Sequence, residues 1–344
     1  MRSMMLAGFL LLFAGCGGNS EADQYYKEGI EALEQEKYDN ALACFEALID
    51  AKELLPEAYR GYGIAWMEKE MYPEAIAAFS RSLNNLDGNH PDFKADVMFY
   101  LAEMRILTGE LEKAVEVYSE MLKDDAENVQ AFFLRGKVYL ELKEYAKAEK
   151  DFDRALRDCE NYNLYINIYQ MYEKLNMASE GNKYLDWALG LEPKSGEDYY
   201  HRGRIFENQG LYMDAKAALL SSIQLGYEDA MLLLGRIYLK LDDVSNARTM
   251  YEDYLAQSEK KAIAYNGLAQ CDIYEGNYDS ALKHIKKGLA AGKGDELRGL
   301  LYNEIVAYEY KKDFQIAKEK MAAYLEKYPD DVDALRENEF LSTR

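Results

Sequence analysis

Small and large apolar residues recur along this chain of 344 residues at intervals of about 34. Nine positions carry a small residue, and a large apolar residue follows four places after each of them. The small residues are Ala41, Ala75, Ala114, Ala148, Gly181, Ala215, Ala247, Ala281 and Ala317. Residues four apart lie on the same face of an α-helix, so the pattern predicts a helix at each position with this pair buried.

A second column of residues lies twelve places before the first and predicts another helix in each unit. It reads Gly29, Gly63, Ala102, Gly136, Tyr169, Gly203, Gly235, Ala269 and Ile305. Most of these residues are Gly or Ala, which indicates close contact between neighbouring helices. Each unit is therefore predicted to hold two helices of about 13 residues, with breaks near Gly109, Gly210 and Gly276. One such pair cannot bury its apolar face alone, so the units must stack.

The two columns resemble the motif of the tetratricopeptide repeat, which has a small residue in its first helix and an Ala followed by an aromatic residue in its second. The clearest copy covers 131–161, where Gly136, Ala148 and Phe152 match the motif. The resemblance extends over 23–331. It implies an all-α fold, a right-handed α-solenoid of about nine helix-turn-helix repeats.

The segment after this array predicts one further helix. Within 332–344, the apolar residues Val332, Leu335 and Phe340 stand among charged residues. The last unit of a repeat array has no neighbour to cover it and needs a terminal element with a polar outer face. We therefore expect a C-terminal capping helix with such a face. No shift in composition suggests a second domain.

The first residues read as a targeting signal. Arg2 precedes an apolar run of about 11 residues, which is too short for the ~20 residues of a membrane-spanning helix. The residues that lead into Cys16 resemble the lipobox of bacterial lipoproteins. The resemblance implies a signal peptide over 1–15, a lipidated Cys16 that carries acyl chains such as palmitate, and a short tether over 16–22.

Such a lipid anchor would also determine the location of the protein. Two or more acyl chains hold a protein stably to a membrane, whereas one chain alone is marginal. The chain would then be extracytoplasmic and held to the cell membrane, or to the outer membrane in a Gram-negative source. Ordinary signal cleavage and a cytoplasmic protein with an apolar start are the alternatives.

The charge balance excludes one class of function. The chain has 62 Asp and Glu residues against 41 Lys and Arg residues, a formal net charge of −21. A protein that binds nucleic-acid phosphates needs a basic excess, so this class is excluded. Several of the 30 tyrosines open the predicted second helices, where we expect them to pack between helices with a wetted hydroxyl.

The sequence contains no recognisable catalytic or metal-binding pattern. None of the three histidines has a second His or Cys at metal-ligand spacing, and neither HExxH nor CxxC occurs. His201 falls on a predicted first helix, where we expect a solvated or hydrogen-bonded surface residue. The cysteines after position 16, expected to be buried small apolar residues, are Cys44, Cys159 and Cys271. The sequence therefore predicts no enzyme, no metal and no cofactor.

The family resemblance implies that the first helices line a concave groove. Side chains one place after the second column, or three places before it, would face that groove. The candidate groove residues are Phe99, Phe133, Lys137, Gln170, Tyr200, Arg204, Leu232 and Arg236. A basic and aromatic strip on an acidic chain favours an extended partner peptide that bears carboxylates. In the alternative interpretation the cations pair with acids such as Glu173 and Glu207 and only solubilise the face.

Together these features predict a membrane-anchored scaffold that binds protein or peptide partners in its groove, outside the cytoplasmic membrane. Two other roles stay open. The chain could be an accessory lipoprotein of an envelope assembly or secretion complex, or a regulator of a cell-wall enzyme. Self-association through an uncapped end is open as well.

Overall fold

The computed structural model describes residues 21–344, which form nineteen helices and no strand. In chain order the helices are α1 (Glu21–Glu34), α2 (Tyr38–Ala51), α3 (Leu55–Glu68), α4 (Tyr72–Asn84), α5 (Pro91–Leu107), α6 (Leu111–Asp124), α7 (Val129–Glu141), α8 (Tyr145–Ala155), α9 (Tyr162–Lys174), α10 (Ala178–Leu189), α11 (Gly196–Asn208), α12 (Tyr212–Gln224), α13 (Ala230–Lys240), α14 (Val244–Gln257), α15 (Lys261–Tyr274), α16 (Tyr278–Ala291), α17 (Glu296–Tyr310), α18 (Phe314–Lys327) and α19 (Val332–Ser342). The predicted signal peptide and Cys16 lie outside the described residues. None of these helices is both long and apolar enough to cross a membrane.

Contacts divide the described chain into two compact units, one that ends at Cys159 and one that covers 160–344. The first unit contains α1 to α8 and the second contains α9 to α19. Within each unit every helix packs against the next helix of the chain. In the second unit the first helices α9, α11, α13, α15 and α17 also contact one another in turn. This repeated pairing confirms the predicted all-α solenoid of helix-turn-helix repeats.

Each helix pair turns from its first helix to its second through one residue with positive φ. The predicted turn residues Gly109, Gly210 and Gly276 have φ values of +76°, +73° and +78°. The remaining pairs use a residue with a side chain, namely Glu36, Glu70, Lys143, Asn176, Asp242 and Lys312. This left-handed conformation costs such a residue roughly 1 kcal/mol. The packing of the two helices therefore fixes these turns, and no local glycine signal marks them.

A ring from the second helix of a pair packs directly on the backbone of first helices. Phe45 of α2 is fully buried between Gly29 of α1 and Gly61 of α3. A Cβ atom added at these glycines would lie 2.8 and 2.3 Å from the Phe45 ring. In the second unit, the ring of Tyr251 on α14 lies 2.3 Å from the Cβ position of Gly267 on α15. Glycine is needed at these places because a side chain would occupy the volume of the ring.

Asp331, which lies just before α19, holds that helix against the second unit. Its carboxylate accepts hydrogen bonds from the Tyr324 hydroxyl at 2.6 Å and from Arg298 Nη2 at 2.7 Å. It also accepts one from the backbone amide of Ala334 at 3.2 Å and so caps the helix. The hydrogen bonds from Tyr324 and Arg298 hold the pKa of Asp331 at about 2, below its usual range.

The outer face of α19 carries exposed charged residues such as Asp333 and Arg336 and also exposed apolar residues. Val332, Leu335 and Phe340 are 57%, 44% and 41% exposed, whereas Ala334 and Leu341 are buried against the unit. The small Ala334 faces inward, and a small residue lets α19 lie close to its neighbour α18.

Replacing Gly267 with Ala is expected to lower the free energy of unfolding by about 1–3 kcal/mol, because the new methyl group would overlap the Tyr251 ring. Unfolding in urea, followed by circular dichroism, measures the loss. Gly299→Ala is the matched control, since its methyl group would meet only the end of the Asn266 side chain. Equal losses in the two variants would contradict the packing of the ring on the backbone.

Candidate partner-binding face

The first unit contains three of the predicted groove residues, Phe99 on α5 and Phe133 and Lys137 on α7. The two phenylalanines are half-buried, and each packs on a ring of the following helix. The ring centroids of Phe99 and Tyr118 are 6.4 Å apart, and those of Phe133 and Phe152 are 6.1 Å apart. Lys137 is exposed. The phenylalanines therefore contribute to the core as well as to the face, and Lys137 is the accessible member.

Lys137 forms no ion pair within the described part of the chain. Burial raises the pKa of Glu103 on α5, and the positive charge of Lys137 opposes that rise. Earlier in the same unit, Arg60 of α3 occupies a groove position but donates a hydrogen bond to Asp96. Its charge is therefore compensated inside the protein, whereas that of Lys137 is open to solvent.

The second unit places the other predicted residues on three consecutive first helices. Gln170 lies on α9, Tyr200 and Arg204 lie on α11, and Leu232 and Arg236 lie on α13. These helices contact one another in turn, so the five residues belong to one row of helices. Leu232 is half-buried in the apolar core of the unit, which leaves the polar members as the candidates for binding.

Arg236 forms an ion pair within the protein. Its Nε and Nη2 donate to the two carboxylate oxygens of Glu207 on α11, each at 2.7 Å. This is the bidentate arrangement that a guanidinium and a carboxylate prefer. The alternative interpretation from the sequence is thus correct for Arg236. Glu173, in contrast, accepts a hydrogen bond from the Tyr169 hydroxyl at 3.2 Å and forms no ion pair with a described cation.

Arg204 has no carboxylate partner among the described residues. Its Nη1 donates to Asn163 Oδ1 on α9 at 3.0 Å and lies 3.2 Å from His201 Nδ1. Its guanidinium carbon lies 5.9 Å from the centroid of the Tyr200 ring. The Nε and Nη2 of Arg204 donate a hydrogen bond to no described residue. Neutral groups therefore hold this half-buried guanidinium in place without compensating its charge.

His201 is not the surface residue that the sequence predicted. Its side chain is buried, with 6% of the residue exposed, and its ring stacks on Tyr162 with 6.0 Å between centroids. Burial, together with the positive charge of Arg204, lowers the pKa of His201 below its ordinary value. The ring is therefore neutral at neutral pH and sits directly beside a permanent cation.

Aromatic rings flank this arginine. The Tyr200 centroid lies 5.1 Å from that of Tyr227 and 5.6 Å from that of His201. Burial raises the pKa of the Tyr200 hydroxyl, and Arg204 opposes the rise. We call Asn163, Tyr200, His201 and Arg204 the arginine site. It offers hydrogen-bond donors and one positive charge on an apolar support.

Sequence reasoning did not single out Asn163, and it expected His201 on a first helix as a surface residue and not as a member of the arginine site. Asn163 stands three places before Ile166, and His201 stands three places before Arg204. Each is therefore one helical turn ahead of a predicted groove position and lies on the same side of its helix. Polar residues at that spacing were the signal that could have found them.

A buried carboxylate elsewhere in the second unit has a structural role. Asp272 on α15 accepts hydrogen bonds from His284 Nδ1 at 2.7 Å and from Arg248 Nη2 at 2.8 Å. Burial alone would raise the pKa of Asp272, but the hydrogen bonds from His284 and Arg248 lower it below its usual range. This network ties α14, α15 and α16 together.

Residues 21–344 contain no cluster of metal ligands, and their buried thiol is unreactive. No group of three or more His, Cys, Asp or Glu side chains in that range could hold a metal ion. Cys271 is buried as predicted, and burial raises the pKa of its thiol to about 12. A thiol with such a pKa is a poor nucleophile, because the thiolate is the reactive form. Cys44 and Cys159 are half-buried, which is less than the sequence predicted.

A family model described as "Tetratricopeptide repeat" matches residues 26–92, 101–163 and 232–296, which together exceed half of the chain. The "TPR repeat-containing protein MJ1428" of Methanocaldococcus jannaschii is 23% identical over 242 residues, covering 66% of this chain and 41% of that protein. The "Hsp70-Hsp90 organizing protein 1" of Glycine max is 25% identical over 235 residues, covering 66% of this chain and 40% of that protein. The chain thus spans less than half the length of these curated relatives.

Solved structures of the same repeat class are also similar to this chain. A tetratricopeptide repeat protein from Parabacteroides merdae is 17% identical, with a TM-score of 0.45 over 83% of this chain and 98% of that one.

Lowering the pH from 7 to 5 is expected to destabilise the second unit through His201. Its pKa is lower in the folded protein than in the unfolded chain, so the unfolded chain binds the proton first as the pH falls. Stability therefore rises with pH through the range just below the ordinary value of about 6.5 and is lost on acidification. Urea midpoints at pH 5, 6 and 7 measure this dependence.

His201→Gln should lose part of this pH dependence, because glutamine cannot take up the proton. His90→Gln, in the first unit, is the matched control and should keep the dependence of the wild type. Identical pH profiles for wild type and His201→Gln would show that His201 is not a source of the effect.

Proposed function

We propose that this chain, which belongs to the tetratricopeptide repeat family, is a membrane-anchored scaffold that binds an extended segment of a protein partner along its first helices, outside the cytoplasmic membrane. Repeat arrays present extended concave surfaces on which partners bind. The name of the Glycine max relative, an organizing protein for Hsp70 and Hsp90, supports such a role.

The observation that carries this proposal is the guanidinium of Arg204. The chain has 62 acidic residues, yet none of those described pairs with this arginine. On the next first helix, in contrast, Arg236 is paired with the carboxylate of Glu207. An uncompensated, half-buried cation beside aromatic rings favours an anionic group from a partner.

The row of first helices suits an extended segment. Packed helices lie about 8–10 Å apart, and an extended chain advances about 3.3 Å per residue. Each helix of the row can therefore meet every third residue or so of a partner segment that crosses it. Tyr200 and Arg204 on α11 and Gln170 on α9 would contact successive parts of such a segment. We expect the partner segment to be acidic because Arg204 is positively charged.

The lipid anchor is the second part of the proposal. Cys16, within its lipobox-like context, would carry the acyl chains after removal of 1–15. Acyl chains are needed for the attachment because a chain with a net charge of −21 is repelled by anionic lipid.

Reversing two charges on the first helices is expected to remove most of the partner that crosslinks to the wild-type protein in native envelopes. The variant is Arg204→Glu with Arg236→Glu, in which Arg204→Glu places a carboxylate where the partner's acidic group would lie and Arg236→Glu removes the neighbouring cation that pairs with Glu207. The yield of each crosslinked species, read by mass spectrometry, is the measurement.

The control for this experiment is Lys283→Glu with Lys287→Glu, which changes the charge equally on the second helix α16. Circular dichroism of both variants verifies the fold. Undiminished capture by the Arg204 and Arg236 variant would refute binding along the first helices.

Growth in labelled palmitate is expected to label the wild-type protein and not Cys16→Ser. The serine variant should also leave the membrane fraction, because the hydroxyl cannot form the thioether to the lipid. Cys44→Ser is the matched control and should stay labelled. Equal labelling of wild type and Cys16→Ser would exclude the anchor at this residue.

The accessory role in an envelope complex is the second candidate, favoured by the same lipobox-like segment at Cys16. Crosslinking distinguishes the two roles. Recovery of one integral-membrane complex in fixed proportion to this chain supports the accessory role. Recovery of several unrelated partners supports the general scaffold. Regulation of a cell-wall enzyme would require such an enzyme among the captured partners.

A further inference from the structure

The second helix α16 carries three lysines on its outer face. Ile285 is fully buried on the inner side of this helix, and successive helix residues point about 100° apart. Lys283 and Lys287, two places before and after it, therefore point away from the core. Lys286 lies beside them, and all three lysines are exposed. We call these three residues the lysine patch. It forms a local excess of positive charge on a chain whose net charge is −21.

No carboxylate of the described chain forms an ion pair with the lysine patch. Asp279 is the one acid of α16, and it pairs with Lys311, so that Lys283 acts on it only at longer range. The ammonium of Lys287 lies 5.8 Å from the centroid of the Tyr265 ring, which restrains it without compensating its charge. Lys283 and Lys287 are four places apart, and like charges at that spacing destabilise a helix. The patch therefore does not stabilise the fold through ion pairs.

Two more lysines lie at the C-terminal end of α16. A Cβ atom added at Gly292, which follows this helix, would lie 2.8 Å from the Cβ of Ala262 on α15. Lys293 and Lys261 adjoin these two residues and are exposed. Exposed acids at the same end offset part of this charge, namely Glu259, Asp295 and Glu296. The positive charge is therefore concentrated along α16 itself.

The chemistry of the patch suits a phosphate surface. The buried centre of a protein interface is apolar, but in α16, which the structure describes from end to end, no large apolar side chain is exposed. All three cations are lysines, and lysine is a compact charge on a flexible stem without the fork that arginine offers to a carboxylate. Such charges can follow groups whose positions are not fixed, as in the headgroup layer of a lipid bilayer.

We infer that the lysine patch binds the phosphate headgroups of anionic phospholipids and so turns the outer face of α16 toward the membrane. The inference rests on the proposed membrane anchor, which would keep the chain close to the lipid. Lysines near an anionic leaflet are attracted to it within a Debye length. Acids that lie farther away than this length, about 8 Å at physiological ionic strength, are screened and do not cancel the attraction. The anchor thus holds the chain, and the patch orients its second unit.

Lysine footprinting on the whole chain tests this inference. The protein is reconstituted at equal density in vesicles of phosphatidylcholine alone and in vesicles that also contain about 30% of the anionic lipid phosphatidylglycerol. A water-soluble acetylating reagent modifies free amines, and mass spectrometry gives the rate at each lysine. If the palmitate experiment shows no anchor, the chain is added to the same vesicles from solution.

Acetylation of the lysine patch is expected to be slower on the anionic vesicles. If about two-thirds of the molecules hold the patch against lipid, its rate falls about three-fold. Lys113 and Lys143, exposed residues of the first unit, are internal controls and should react equally on both vesicles. Raising the salt from about 0.1 M to 1 M shortens the Debye length from about 10 Å to 3 Å and should remove the protection.

Charge-reversed variants locate the effect. Lys283→Glu with Lys287→Glu should abolish the protection of Lys286 on anionic vesicles. The same variant should still capture a partner along the first helices, because α16 is not in that row. Lys147→Glu with Lys150→Glu makes the same charge change on the second helix α8 of the first unit and is the matched control. It should keep the protection of the patch.

Equal acetylation rates on the two vesicles overturn the inference, and so does protection that persists at high salt. Protection by inorganic phosphate without vesicles would indicate a site for small anions, and protection in native envelopes alone would indicate another polyanion. Either result also overturns lipid binding. Failure of the proposed scaffold is distinguishable, because it appears as undiminished partner capture by the Arg204 and Arg236 variant or as equal palmitate labelling of Cys16→Ser.

Discussion

The architecture depends on one contact, an aromatic ring pressed onto helix backbone. Phe45 between Gly29 and Gly61, and Tyr251 against Gly267, occupy volumes that any side chain on those glycines would fill. Such a contact fixes both the distance between helices and the register along them, because a ring cannot slide past a closely packed backbone. Repetition of this contact lets each unit grow by adding pairs, without a central core.

The same contact determines which side chains are available for binding. Successive helix residues point about 100° apart, so the residue after a close-contact glycine is directed away from the ring. Lys137 and Arg236 each follow such a glycine, and Arg204 follows Gly203, which packs on Leu219 in the same way. Packing thus determines which helix position each arginine occupies. The neighbouring side chains then determine whether its charge is paired. Glu207 compensates Arg236 within the fold, whereas Asn163 and His201 restrain Arg204 and leave its charge uncompensated.

Acidic and basic side chains have different roles in this protein. Most of its 62 acidic residues keep the exterior solvated and discourage association with anionic surfaces. In contrast, a guanidinium without a carboxylate partner, such as that of Arg204, attracts anionic groups only at short range in salt solution.

Spacing along the chain was enough to predict the repeat, the all-α fold and close helix contacts at a column of small residues, because periodic spacing shows which residues share a helix face. It also predicted the helices that carry Arg204 and Arg236. The folded structure was needed to show that Arg236 is paired and that Arg204 has no carboxylate partner among the described residues. It also showed that His201 is buried and that large apolar residues of α19 face outward. These outcomes depend on contacts between helices about 30 to 40 residues apart in sequence. Spacing along one helix carries no information about the partner that another helix brings to it.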